Sequence, residues 1–72
     1  MIETTKRLEA CILDILDTYT PLIGGVPLQM LEHHLRVNKH LEYNEEELRT
    51  ALSHLLRNKH ISRDVVAYKK ED

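Results

Sequence analysis

Seventy-two residues make one domain, since natural domains begin at about 50 residues and a chain this short hides only about 60% of its unfolded surface, too little for both a core and a deep catalytic pocket. An apolar fraction of 42% with 31% charged residues is a globular composition, and the single cysteine, Cys11, excludes an internal disulfide or a Cys-based zinc cluster. The net charge of −2 hides an asymmetry: residues 1–47 carry nine acids against four bases, a net of −5, whereas residues 48–72 carry six bases against three acids, a net of +3, with no acid from Leu48 to Arg63.

The opening segment MIETTKRLEACILDILD is charged throughout and lacks the apolar centre of a signal peptide, and no apolar run approaches a membrane span. An intracellular, cytoplasmic location is the expectation. With no Trp and no Phe, the core must be built from Leu, Ile and Val together with Tyr.

The spacing predicts a first helix over about residues 4–19, with Leu8, Cys11, Ile12, Ile15, Leu16 and Tyr19 in one sector. Cys11 on that apolar face reads as a small buried hydrophobe. Leu13 falls outside the sector, on the side of Ile2. Pro21 and the pair Gly24-Gly25 predict the end of this helix and a turn. Val26 then reads as a very short strand, and Pro27 as the first residue of a second helix over about residues 27–38, where its missing N–H costs nothing. Leu28, Leu31 and Leu35 form the core stripe of that helix, Met30, His34 and Val37 lie on another side, and Leu41 in the following turn points back to the core.

The third helix, about residues 45–58, is the clearest element. Asn44 is a good N-cap, Glu47 completes an approximate capping box, and Tyr43 with Leu48 supplies the hydrophobic staple. Glu45, Glu46 and Glu47 complement the positive helix start, as Arg57 and Lys59 complement its end. Leu48, Ala51, Leu52, Leu55 and Leu56 form the buried stripe; Glu46, Arg49, Thr50, Ser53 and Arg57 face away, with His54 at the margin. After Asn58 the period changes to two: Ile61-Ser62-Arg63 and Val65-Val66-Ala67-Tyr68 predict a hairpin over about residues 60–69 turning near Asp64, followed by the tail Lys69-Lys70-Glu71-Asp72.

These elements make a mainly α fold with a small β-hairpin. The order helix, short strand, helix, turn, helix, hairpin resembles the winged helix-turn-helix superfamily: three helices plus a two- or three-stranded wing sheet, spanning residues 1–72 as one domain. Leu31, Leu35, Leu48, Leu52, Leu55, Leu56 and Ile61 carry the resemblance with Arg63-Asp64 and Val66-Ala67-Tyr68. The stretch LRTALSHLLRNKHISRD is similar to the third helix and wing entry of such domains.

The resemblance implies a DNA-binding protein, a transcription or replication regulator whose third helix enters the major groove while the wing reaches phosphate or the minor groove. By position, Arg49, Thr50, Ser53 and His54 are the base-edge candidates, and Arg57, Lys59, Arg63, Lys69 and Lys70 the phosphate candidates. One small monomer binds weakly, so a homodimer on a palindromic site is the natural mechanism. The superfamily also holds pure protein-interaction modules, such as the winged helix at the end of cullins, which carries a modified lysine on its first helix; here no lysine follows Lys6 in that helix. An interaction module that does not bind DNA is therefore the alternative. The acidic start of the third helix and the off-face Ile2, Leu13, Met30 and Val37, candidate dimer or partner contacts, favour it.

Other chemistry finds little support. The five histidines lack the i, i+4 pair of a helical zinc site, so no metal is expected. Ser53 and His54 are adjacent on a helix and their side chains diverge, so they do not form a nucleophile–base pair. Gly24-Gly25 has neither a Walker lysine nor GxGxxG spacing, so no nucleotide cofactor is expected, and the chain is read as a non-enzyme.

Overall fold

The apolar stripe of the first helix sets the frame of the molecule. The computed structural model describes residues 2–64 and 67–71, with residues 2–4 as backbone only. Helix α1 covers Ile2–Ile23 and buries Leu8, Ile12, Ile15 and Leu16. Strand β1 follows at Val26–Pro27, then α2 at Leu28–His33, which continues into a π-helical turn at His34–Asn38. Helix α3 spans Glu45–Arg57, and strands β2 (Ile61–Arg63) and β3 (Ala67–Lys70) complete the fold. The result is mainly helical, with a three-stranded antiparallel sheet in the order β1-β3-β2.

α1 runs further than its proline suggests. Pro21 sits inside the last turn, where it forfeits only its own N–H bond to the Asp17 carbonyl. The helix instead closes at Gly24, whose φ of +82° is freely open to glycine. Its N–H bonds the Thr20 carbonyl at 2.8 Å, a left-handed cap. Leu22 and Ile23 belong to that extra turn and stand 72% and 53% exposed.

Gly25 has a different task. A Cβ there would meet the Ala67 Cβ at 3.1 Å, so the small residue lets β1 lie against β3. Val26 pairs with Tyr68 and Pro27 with Ala67. Val26 is buried, while Pro27 lies on the outer edge, where a strand tolerates proline.

Because Pro27 is extended (φ −61°, ψ 152°) and caps α2 rather than starting it, Leu28 becomes the first helical residue. It projects past the core and is 40% exposed, which corrects its place in the predicted stripe. Leu31 and Leu35 are fully buried as that stripe requires. Leu56 is only half-buried, at the edge of the α3 stripe formed by Leu48, Ala51, Leu52 and Leu55. Cys11, Leu41 and Tyr43 are likewise half-buried against the core.

Both hydrogen bonds of the α3 capping box form. The Glu47 N–H donates to Asn44 Oδ1 at 2.8 Å, and the Asn44 N–H donates to Glu47 Oε1 at 3.0 Å. The hairpin pairs Ile61 with Lys70, Ser62 with Lys69 and Arg63 with Tyr68, and the Asp64 N–H bonds the Ala67 carbonyl at 2.8 Å. Val65 and Val66, predicted to open the second strand, lie outside the described residues.

Two stability measurements follow from this packing. Asn44→Ala, which removes one half of the capping box, lowers unfolding free energy in urea by about 1 kcal/mol. Leu35→Ala leaves a cavity where the fully buried side chain joins the π turn to the core, and costs about 2–5 kcal/mol in the same assay.

Candidate nucleic-acid interface

The buried stripe of α3 turns its opposite face to solvent. Arg49, Thr50, Ser53, His54 and Arg57 are all exposed and line one shallow depression along the helix. One turn toward the N-terminus, Arg49 and Thr50 share a second depression with Asn44, Glu45 and Glu46. Glu46 thus opens onto the same surface as Arg49. The basic and acidic halves of α3 form one continuous face with a charge gradient along it.

Most candidate bases on this side of the molecule already face a carboxylate. The Arg49 guanidinium donates to Glu45 Oε1 at 3.2 Å, one turn earlier. His54 Nδ1 lies 3.5 Å from Glu9 Oε2 on α1. In β3, Lys69 Nζ lies 3.9 Å from Asp64 Oδ2 and Lys70 Nζ lies 3.3 Å from Asp17 Oδ1. The Lys70 N–H also donates to Thr20 Oγ1 at 3.3 Å, tying the end of the sheet to α1.

Arg57, Lys59 and Arg63 differ. Among the described residues none of the three faces a carboxylate within salt-bridge distance, and all three are exposed. The Arg63 guanidinium lies over the Tyr68 ring, 5.8 Å from its centroid, a cation–π contact that leaves its N–H groups free for an acceptor. These three residues lead from the last turn of α3 through the connecting turn and along β2.

Two further bases, Arg36 and Lys39, lie in and just after the π turn. The Arg36 guanidinium donates to the Tyr43 hydroxyl at 3.2 Å and stacks 4.9 Å from its ring centroid, with Glu32 3.8 Å away. The hydrogen bond with Tyr43 raises the Arg36 pKa above its usual value, and the bond from Lys39 to Asp14 does the same for Lys39. Both cations stay charged at any neutral pH.

The expected dimer or partner contacts are not brought together as one exposed group. Leu13 and Met30 are half-buried, packed against the core rather than free on the surface. The Ile2 side chain lies outside the described residues, and Val37 is 50% exposed. His34, expected on the same side as Met30, stacks on Tyr19 at 4.6 Å between ring centroids, and its Nδ1 lies 2.5 Å from Asn38 Nδ2. Among the described residues no cluster of His, Cys, Asp or Glu could hold a metal ion, and no helix is long and apolar enough to cross a membrane.

Two features escape a reading of the sequence. The pairings of His54 with Glu9 and of Lys70 with Asp17 join residues far apart in the chain, and no local spacing signals them. The backbone of Lys59 is left-handed, with φ at +61°, where neither glycine nor asparagine marks the position in the sequence. No family model matches the chain, and comparison with curated proteins and with solved structures found no relative.

Proposed function

We propose that this chain is a winged helix-turn-helix domain that binds duplex DNA, as a transcription or replication regulator, through the exposed face of α3 and the β2–β3 hairpin. The element order and the β1-β3-β2 sheet support the fold reading. The observation that carries the function is the single solvent-facing depression formed by Arg49, Thr50, Ser53, His54 and Arg57. It is continued past the helix end by Lys59 and Arg63, which no carboxylate among the described residues neutralises. Such a surface offers hydrogen-bonding side chains to base edges and cations to phosphate.

The ion pair on Arg49 does not oppose this use. Arg49 and Glu45 are 76% and 86% exposed, and a pair of that kind is worth at most about 1 kcal/mol, so a phosphate or a guanine edge can displace the glutamate. Glu46 does restrict the pose. A carboxylate pressed toward phosphate repels it, so the duplex is engaged by the middle and C-terminal half of α3 rather than by its first turn. Two such domains related by a two-fold axis would read half-sites about 34 Å apart.

A second reading, a protein-interaction module without DNA binding, draws on two observations. Glu46 shares a depression with Arg49 and Thr50, and Leu22, Ile23 and Leu28 are exposed around the corner between α1 and α2.

Fluorescence anisotropy with a labelled random-sequence duplex separates the two. The wild-type chain is expected to bind with an affinity that falls steeply as salt rises. Arg57→Ala/Arg63→Ala is expected to weaken binding and to reduce the slope of log K against log salt by about 2, one for each phosphate that is no longer neutralised. No wild-type binding at low salt overturns the DNA reading and leaves the interaction module in its place.

A further inference from the structure

α3 ends in a complete Schellman motif. The His60 N–H bonds the Leu55 carbonyl at 3.0 Å and the Lys59 N–H bonds the Leu56 carbonyl at 3.1 Å, with the Asn58 N–H on the His54 carbonyl at 3.0 Å. The motif places its C′ residue in the left-handed region, a position that glycine occupies freely and an L-residue only against steric resistance. Here that residue is Lys59, at φ +61°. The chain accepts the strain although glycine caps α1 in a similar way at Gly24.

The surroundings indicate what the lysine does there. Its side chain is exposed and, among the described residues, has no carboxylate partner. Arg57 precedes it by two residues and Arg63, on β2, follows by four. The His54, Leu55 and Leu56 carbonyls, which would otherwise repel an anion at a helix C-terminus, are already bonded to the three N–H groups of the turn. The His60 carbonyl accepts the Glu71 N–H at 3.0 Å, so the turn is held from both the helix and the chain beyond β3. His40, also at positive φ (54°), follows the π turn, where the neighbouring Arg36 and Lys39 are held by Tyr43 with Glu32 and by Asp14.

We propose that the α3–β2 turn is a phosphate clamp. On this inference, which rests on the DNA reading above, Lys59 is retained at a glycine position because its ammonium contacts a phosphate of the bound duplex, between phosphates held by Arg57 and Arg63. Strain at the turn is then the cost of affinity, and stability and binding respond to substitution with opposite signs. A lysine kept only to complement the helix dipole would leave binding unchanged on substitution.

The test compares Lys59→Gly, Lys59→Ala and Lys59→Arg by thermal unfolding and by anisotropy with the same labelled duplex. Lys59→Gly is expected to raise Tm, on the order of 5 °C, while weakening binding several-fold and lowering the salt slope by about 1. Lys59→Ala is expected to show the same drop in affinity with no comparable gain in Tm, because alanine keeps the strain. Lys59→Arg is expected to bind like wild type. Wild-type affinity and slope in Lys59→Gly, with Arg57→Ala/Arg63→Ala still impaired, overturns the clamp alone. A fall in Tm for Lys59→Gly also overturns it. Absence of any wild-type binding at low salt overturns the clamp together with the DNA reading.

Discussion

Everything in this small molecule leans on α1. Its stripe of Leu8, Ile12, Ile15 and Leu16 packs most extensively on α3 and also meets the π turn, β1 and β3. With neither Phe nor Trp in the chain, the core has to be closed by aliphatic side chains that interdigitate. One long helix touching every layer is an efficient way to do so. The cap of α1 at Gly24 and the close approach at Gly25 follow from the same demand, since both bring β1 back alongside β3.

That central position has an electrostatic consequence. α1 is acidic along its exposed side, and its carboxylates meet the bases of later elements: Glu9 faces His54, Asp14 faces Lys39 and Asp17 faces Lys70. Each pair is partly solvent-exposed and weak by itself. Among them Asp17 offsets a formal cation of residues 48–72, Lys70, and within the hairpin Asp64 lies near a second, Lys69. The net surplus is concentrated where α1 does not reach, at Arg57, Lys59 and Arg63. The functional reading follows from that location: the bases that a bare charge count would spread over the whole second half are narrowed to one turn and one strand.

The acidic first turn of α3 has a double effect. Asn44 and Glu47 close the capping box, and Glu45 pairs with Arg49, so two of the three glutamates serve the helix itself. Glu46 instead faces the depression shared with Arg49 and Thr50. The carboxylates that start the helix and the bases that follow them share one short element, and the charge gradient along α3 is the outcome.

Much of α3 is legible in the sequence, because a helix start depends on a few adjacent residues. Asn44, Glu47 and the regularly spaced leucines state their roles through spacing alone, as do the change of period after Asn58 and the exposure of Arg49, Thr50, Ser53 and Arg57. The end of α1 is harder to place because Pro21 and Gly24 both signal termination. A proline in the last turn forgoes one hydrogen bond, whereas the left-handed glycine changes the direction of the chain. Leu28 keeps the phase of the stripe but is the first residue of α2, at the end of the helix, where it stands 40% exposed while Leu31 and Leu35 are buried. Leu13 and Met30 read as free because periodicity describes one helix at a time and does not reveal what covers its flank.

By itself, then, the sequence determined the helices, their inward faces and the segregation of charge, all of which arise from neighbours a few positions apart. Tertiary structure decided which bases are neutralised and which apolar residues are covered. Those outcomes depend on distances between residues up to 53 positions apart. Such distances are set only when the aliphatic core closes around α1.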